Sequence, residues 1–123
     1  MSSRPSVLVC DDEPNLRELI RVSLGERYAF VEAADGEQAL ALARSLRPHL
    51  VILDLMMPRL NGLDVLAELK ADPELAGTPV LVVTAQPASE EEARTNGADG
   101  VIVKPFGPEE LATIAADLLG AAG

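Results

Sequence analysis

Residues 51–62 read Val-Ile-Leu-Asp-Leu-Met-Met-Pro-Arg-Leu-Asn-Gly, and the rest of the chain is arranged around this stretch. The continuous apolar run at 50–53 predicts a strand that is buried on both faces. Asp54 follows directly, and strand periodicity alone does not predict an acid there. Pro58 then interrupts the strand, and Asn61-Gly62 is a turn pair that leads into a new helical pattern. The stretch therefore predicts a buried strand that presents a carboxylate at its carboxyl end.

Strand-like and helix-like segments alternate along the remaining sequence. Short apolar runs predict four further strands, at 7–10, 28–31, 79–84 and 100–103. A helix is predicted after each strand from helical spacing or start signals: Pro14, Asp35 with Gln38, residues 63–70, Ser89 with Glu92 in capping-box spacing, and Pro108. Five strand and helix pairs in strict alternation predict an α/β fold, a doubly wound parallel sheet covered by helices on both faces.

Composition narrows the classes of partner and compartment. The 123 residues carry 20 acidic and 10 basic side chains, a formal net charge of -10, which argues against nucleic acid or an anionic membrane as the partner. No apolar run approaches the roughly 20 residues that cross a bilayer. The single cysteine, Cys10, cannot form an internal disulfide, and the amino end lacks the apolar core of a signal peptide. We expect one cytoplasmic domain spanning residues 1–123.

Polar side chains follow four of the five predicted strands. Asp11 and Asp12 come after the first strand, Asp54 after the third, Thr84 after the fourth and Lys104 after the fifth. Ligands of doubly wound sheets bind beyond the carboxyl ends of the strands, so these residues are expected at one edge. The sequence thus predicts a site built from three acids, a hydroxyl and a lysine.

This set of side chains suits phosphoryl chemistry that depends on a metal. Three ionised carboxylates raise one another's pKa values unless a cation lies between them, and all-oxygen ligation favours magnesium, Mg²⁺. A carboxylate can act as a nucleophile that forms an aspartyl-phosphate. Lys104 and Thr84 would then supply a positive charge and a hydrogen-bond donor for the phosphoryl group.

Each of these residues also has a plainer interpretation. Asp54 alone could be a helix-entry acid, Thr84 an ordinary strand-end residue and Lys104 a surface lysine. The acids at 11–13 could form a first helical turn that the helix dipole favours, which is the preferred interpretation for Glu13 but not for Asp12. Outside the predicted site, Cys10 is interpreted as a small core residue and His49 as a loop residue.

The motifs, taken together and in order, resemble the receiver domain of a two-component response regulator. They are Asp11-Asp12, Asp54, Met57-Pro58, Asn61-Gly62, Thr84-Ala85 and Lys104-Pro105-Phe106, and the resemblance covers essentially the whole chain. It implies a flavodoxin-like five-stranded parallel sheet with strand order 2-1-3-4-5. It also implies a cis bond between Lys104 and Pro105.

The resemblance further implies a role for each site residue. Asp54 would accept a phosphoryl group, in a Mg²⁺-dependent reaction, from a histidine kinase or a histidine phosphotransfer protein. Asp12 and Asp54 would bind the metal directly, Met56 through its backbone carbonyl and Asp11 largely through water. Thr84 and Lys104 would hold the phosphoryl oxygens. The domain would be a signalling switch with an unidentified output partner, not a turnover enzyme, and a phosphorylation-dependent dimer is left open.

Two features depart from the usual pattern of the family. Val101 occupies the position, three residues before Lys104, where the family usually carries Tyr or Phe. The interval after Thr84 is also short, and the predicted fourth helix is poor in large apolar residues. We therefore expect residues 85–99 to signal through a change in order. A pseudo-receiver that only binds proteins and a Mg²⁺-dependent aspartyl phosphohydrolase are the alternative functions.

Overall fold

The computed structural model describes residues 4–57 and 61–122. Its strands are β1 Ser6–Cys10, β2 Ala29–Ala33, β3 Leu50–Asp54, β4 Val80–Thr84 and β5 Gly100–Val103. Its helices are α1 Pro14–Leu24, α2 Gly36–Leu46, α3 Gly62–Ala71, α4 Glu90–Thr95 and α5 Pro108–Ala122, with a short 3₁₀ helix at Pro87–Ser89. All strand pairs are parallel, in the order β2-β1-β3-β4-β5. The predicted α/β fold and strand order are confirmed.

The sheet is buried because its strands turn alternate side chains toward two separate apolar layers. One layer lies under α2, α3 and α4 and includes Leu8, Cys10, Val51, Leu53, Leu66, Leu69 and Ala93. The other lies under α1 and α5 and includes Val7, Val9, Ile20, Leu50, Ile52, Leu111 and Ala115. Every residue of β3 and of β4 is buried, which explains the continuous apolar runs in their sequences.

Most of the predicted helix boundaries are confirmed by specific contacts. Pro14 lies in the first turn of α1, and Gly25 ends that helix at φ 84°, a conformation that favours glycine. The Asp35 carboxylate accepts a hydrogen bond from the Gln38 amide at 2.8 Å, which caps α2. The Asn61 side chain caps α3 in the same way through Leu63. These local signals are strong because each depends only on residues two to four positions apart.

The predictions for the second strand and the fourth helix need correction. The strand predicted at 28–31 is observed at Ala29–Ala33, where three of its five residues are only half-buried and the apolar signal is weak. The capping box predicted at Ser89 does not form, because Ser89 closes the 3₁₀ helix in a helical conformation. Its hydroxyl donates instead to the Gln86 side chain at 3.3 Å.

Three further observations concern the peptide bond before Pro105, the Met57-Pro58 motif and membrane crossing. The Lys104-Pro105 peptide bond is cis, as the family resemblance implied. Pro58, half of the Met57-Pro58 motif, lies outside the described residues. None of the helices in the described ranges combines the length and the apolar character that a membrane crossing needs.

Candidate functional site

The parallel sheet gathers the predicted site residues at one edge. Asp54 lies beside Val83 in the register of β3 and β4, and Thr84 lies beside Val103 at the end of β5. Backbone hydrogen bonds continue past the strand ends, from the amide of Asp11 to Ala33, of Leu55 to Val83 and of Lys104 to Thr84, at 3.0, 3.1 and 2.8 Å. The segments carrying the site are therefore fixed by the sheet itself.

Burial singles out the same residues. Among the described residues, the buried polar or charged ones are Asp11, Asp54 and Thr84, which are 1%, 3% and 1% exposed. Polar groups are rarely buried unless they are paired or serve a function, because desolvation is costly. Every buried polar or charged residue in the part of the chain that the structure describes therefore lies at the carboxyl end of a strand.

Asp54 is held through both carboxylate oxygens. Its Oδ2 accepts a hydrogen bond from Lys104 Nζ at 2.7 Å, and its Oδ1 accepts one from the Met56 amide at 2.7 Å. Burial alone would lower the pKa of Lys104, but the hydrogen bond and the negative charge of Asp54 outweigh it, so that pKa is raised. The lysine stays charged and balances the buried carboxylate.

Asp11 has one carboxyl oxygen without a hydrogen-bond partner. Its Oδ1 accepts a hydrogen bond from the Glu13 amide at 2.8 Å, whereas its buried Oδ2 has no hydrogen-bond partner. Burial and the neighbouring Asp54 carboxyl raise the pKa of Asp11 from 3.8 to about 7, although the Glu13 amide and Lys104 partly oppose the shift. A cation beside Asp11 and Asp54 would satisfy the unpartnered oxygen and remove the repulsion.

Asp11, Asp12 and Asp54 form the acidic corner of the site, and it fits a hard cation such as Mg²⁺. Asp12 is exposed beside Asp11, and oxygen ligands of this kind are those that Mg²⁺ prefers. Within residues 4–57 and 61–122, no three acidic, histidine or cysteine side chains converge as a ready-made metal cluster. The fit thus depends on the unpartnered Asp11 oxygen and on its proximity to Asp54, and water would complete the coordination, as is usual for Mg²⁺.

Thr84 lies at the predicted edge, but its hydroxyl contacts the chain that follows it. Oγ1 accepts a hydrogen bond from the Gln86 amide at 3.0 Å and donates to the Gln86 carbonyl at 3.4 Å. These bonds tie the hydroxyl to the connection between β4 and α4. The sequence predicted the position of Thr84 but not these contacts.

Met56 and two residues interpreted as lying outside the site are also located. Met56 lies two residues after Asp54 and is 60% exposed. Its backbone carbonyl stays a predicted ligand. Cys10 is buried in the core, where burial raises the pKa of its thiol. His49 is exposed just before β3, and its Nδ1 accepts a hydrogen bond from the Ser6 amide at 3.0 Å.

One residue beside the site was missed by sequence reasoning. Arg17 donates a hydrogen bond through Nη1 to the carbonyl of Asp11 at 2.6 Å and through Nε to Glu32 Oε1 at 2.7 Å. A signal was present in the sequence, because Arg17 shares the inward face of α1 with Ile20 and Leu24, three and seven residues later. A cation on an apolar helix face has to find a buried acceptor.

Comparison with known proteins identifies the family to which this chain belongs. The family model of the response regulator receiver domain matches residues 7–116. The chain belongs to the receiver domain family of response regulators. Receiver domains are signalling domains of two-component systems, and phosphoaspartate and Mg²⁺ are general properties of the family. The family that the sequence motifs suggested is confirmed.

Individual relatives agree with the assignment. The DNA-binding response regulator MtrA of Mycolicibacterium smegmatis is 42% identical over 111 residues, which cover 88% of this chain and 47% of that protein. The chain thus spans about half the length of the curated relatives it matches.

Solved structures of receiver proteins share the fold of this chain. A putative response regulator from Chloroflexus aurantiacus has a TM-score of 0.91 at 27% identity and covers 96% of this chain and 99% of its own. The chemotaxis response regulator CheY4 of Vibrio cholerae has a TM-score of 0.87 at 31% identity, covering 94% and 99%. The receiver fold is therefore shared along nearly the full length of the chain.

Proposed function

We propose that this receiver domain is a phosphoacceptor switch in which Asp54 receives the phosphoryl group. The observation that carries the proposal is the environment of Asp54. This carboxylate is 3% exposed, lies 2.7 Å from Lys104 Nζ and neighbours a buried Asp11 oxygen that has no partner. A nucleophile beside a fixed cation and an unsatisfied acid is the arrangement that transfer of an anionic phosphoryl group needs.

The reaction would be a displacement at phosphorus. An Asp54 carboxylate oxygen attacks the phosphorus of a phosphohistidine on a kinase or phosphotransfer protein. A phosphorus–oxygen bond forms as the phosphorus–nitrogen bond breaks, and the electron pair stays on the imidazole nitrogen, which takes up a proton from water. The Met56 amide holds the carboxylate in position, and Lys104 moves its charge to the new phosphoryl oxygens.

The metal would be held by the acidic corner. Asp12 and Asp54 would bind Mg²⁺ directly, Asp11 largely through water and Met56 through its backbone carbonyl. When bound, Mg²⁺ neutralises the charge of the transferring phosphoryl group. Asp11 would contribute its unpartnered Oδ2, and Lys104 contributes the second positive charge.

Thr84 would couple phosphorylation of Asp54 to a change in the conformation of the domain. Its hydroxyl donates to the Gln86 carbonyl, so donating to a phosphoryl oxygen requires release of that bond. The release would alter residues 85–99 and shift the domain between two conformations that an output partner distinguishes. A dimer that forms on phosphorylation would be one such output.

The cytoplasmic location expected from the sequence stays a prediction.

Intact-mass measurement after incubation with acetyl phosphate tests the proposal. We expect one labile phosphoryl adduct on the wild type that requires Mg²⁺ and is absent from Asp54→Asn. Asp117→Asn, at an exposed aspartate on α5, is the matched control and should retain the adduct. An adduct that persists in Asp54→Asn would contradict the assignment of the acceptor.

The two alternative functions are distinguished by adduct formation, by Mg²⁺ binding and by release of inorganic phosphate. A pseudo-receiver would form no adduct and bind no Mg²⁺. A phosphohydrolase would release inorganic phosphate from a phosphomonoester over many turnovers, whereas the proposed switch would lose its phosphoryl group once for each acylation.

A further inference from the structure

Arg17 joins three elements at the acidic corner. It lies in α1, its Nη1 donates to the carbonyl of Asp11 just after β1, and its Nε donates to Glu32 on β2. The two bonds measure 2.6 and 2.7 Å, and the Arg17 side chain is only 16% exposed. A half-buried arginine held by two hydrogen bonds to different residues has little freedom, so its planar guanidinium imposes a geometry on the groups it binds.

The bond to the Asp11 carbonyl fixes the peptide between Asp11 and Asp12. The amide of Asp11 is already bonded to Ala33 at 3.0 Å, and its carboxylate accepts from the Glu13 amide at 2.8 Å. The carbonyl is the remaining backbone group of that residue, and Arg17 holds it. The orientation of this peptide determines where the carboxylate of the next residue, Asp12, projects.

Arg21, one turn after Arg17 in α1, shows what a purely structural arginine would do. Arg21 also pairs with Glu32, at 3.2 Å, and would tie α1 to β2 without any described contact to Asp11. Arg17 and Arg21 therefore share an acidic partner on the same strand, while only Arg17 has a recorded bond to the acidic corner. Comparing substitutions of the two arginines therefore separates the loss of an ion pair between α1 and β2 from the loss of the bond to the Asp11 carbonyl.

We propose that Arg17 is a positioning residue that orients the Asp11-Asp12 peptide so that both carboxylates face a divalent cation. The inference rests on the proposed function, because the cation is the Mg²⁺ of phosphoryl transfer. Arg17 does not touch the metal or the phosphoryl group. It acts through the backbone, as groups behind metal ligands commonly do, and loss of such groups typically lowers metal affinity by roughly 10–100-fold.

Mg²⁺ titration without any phosphodonor tests the proposal, using calorimetry on the wild type, Arg17→Gln, Arg17→Lys and Arg21→Gln. We expect Arg17→Gln to weaken Mg²⁺ binding by roughly tenfold or more. Arg17→Lys should fall between it and the wild type, since a lysine keeps the charge but loses the planar fork. Arg21→Gln removes an ion pair from the same Glu32 and should leave Mg²⁺ affinity within about twofold of the wild type, as is usual for an exposed pair.

A second readout is independent of the metal. Amide ¹⁵N relaxation in metal-free protein should show lower order parameters for Asp12 and Glu13 in Arg17→Gln, and wild-type values in Arg21→Gln. In phosphorylation assays, Arg17→Gln should raise the Mg²⁺ concentration for half-maximal rate while the rate at saturating Mg²⁺ stays close to that of the wild type. Should Arg17→Gln fail to fold, Arg17→Lys carries the same comparisons.

The outcomes separate this inference from the proposed function. Equal Mg²⁺ affinity in Arg17→Gln and wild type, or an equal loss in Arg17→Gln and Arg21→Gln, overturns the positioning role while leaving Asp54 as the acceptor. Weaker binding in Arg17→Gln alone supports it, even if the wild type then fails to take up a phosphoryl group. A wild type that binds no Mg²⁺ overturns both the positioning role and the metal-dependent reaction.

Discussion

At the scale of single residues, the site combines one satisfied and one unsatisfied carboxylate. Asp54 is bonded to Lys104 and to the Met56 amide, whereas Asp11 leaves one buried oxygen without a partner. Both acids are buried, so the repulsion between them is weakly screened. Burial, and after it the neighbouring Asp54 carboxyl, disfavour the charged form of Asp11 and raise its pKa to about 7.

The raised pKa of Asp11 predicts a pH dependence of stability without metal. Between its unfolded pKa of 3.8 and its folded pKa of about 7, the folded protein keeps a proton that the unfolded chain releases. The contribution of Asp11 to the free energy of unfolding therefore falls as pH rises through this window and is constant above it. One pKa unit corresponds to about 1.4 kcal/mol, so we expect the loss to exceed about 1 kcal/mol.

Urea unfolding at pH 5 and pH 8 in the presence of a chelator measures this loss. The stability difference between the two pH values should be smaller in Asp11→Asn than in the wild type, because the variant has no proton to release. Asp117→Asn, at an exposed position, should behave like the wild type. A pH dependence that Asp11→Asn leaves unchanged would contradict the prediction.

At the scale of secondary-structure elements, residues 85–99, the proposed switch segment, have little buried surface to hold them against the sheet. α4 has six residues, and Ala93 is its one buried residue. Val101 on β5 packs into the same apolar layer as Ala93, so no aromatic ring is available there to move inward. The bonds from Thr84 to Gln86 are the described link between the site and this segment.

We therefore predict that a phosphoryl mimic changes hydrogen exchange at residues 85–99. Amides in this segment should exchange faster with beryllofluoride and Mg²⁺ bound, because Thr84 would donate to the mimic instead of to the Gln86 carbonyl and so release its hold on the segment. Residues 39–46 of α2, which make no described contact with the acidic corner, provide an internal control with unchanged protection. Thr84→Val should abolish the response, and equal protection of 85–99 in both states would rule out this switch.

The turn into α3 depends on a close backbone approach. A Cβ at Gly62 would lie 2.5 Å from the Leu55 Cα, and the Gly62 amide donates to the Leu55 carbonyl at 3.3 Å. Gly62→Ala should lower the free energy of unfolding by about 1–3 kcal/mol, as overpacking does. Gly77→Ala, where nothing lies within 4 Å, is the control and should change stability little. Equal stabilities of the two variants in urea would contradict the clash.

At the scale of the whole molecule, topology and charge act together. The order β2-β1-β3-β4-β5 places the ends of β1 and β3 side by side, and each parallel strand contributes its carboxyl end to one edge. The formal net charge of -10 adds a field that attracts any cation. Specific Mg²⁺ binding must therefore be distinguished from general screening of this charge.

We predict that Mg²⁺ stabilises the wild type against urea beyond the effect of ionic strength. A ligand that binds only the folded state adds about 2.7 kcal/mol when its concentration is 100 times its dissociation constant. Asp11→Asn and Asp54→Asn should lose most of this increment, because each variant removes a carboxylate from the acidic corner. Potassium chloride at matched ionic strength is the control, and equal stabilisation by both salts would contradict a specific site.

The sequence by itself determined the alternation of strands and helices, the strand-end positions of Asp11, Asp54, Thr84 and Lys104, and, through its motifs, the family. These features are local, since a buried run or a cap depends on residues a few positions apart. The same reasoning was wrong at Ser89, where a 3₁₀ helix displaced the predicted cap.

Only the tertiary structure decided how the strand-end residues meet. Asp54 and Lys104 are 50 residues apart in sequence and 2.7 Å apart in space, and no local pattern encodes that distance. The unpartnered oxygen of Asp11 and the bond from Arg17 to its carbonyl likewise depend on how α1 and the sheet pack together. Contacts between distant parts of a chain are fixed by strand register and helix packing, and these are properties of the folded molecule as a whole.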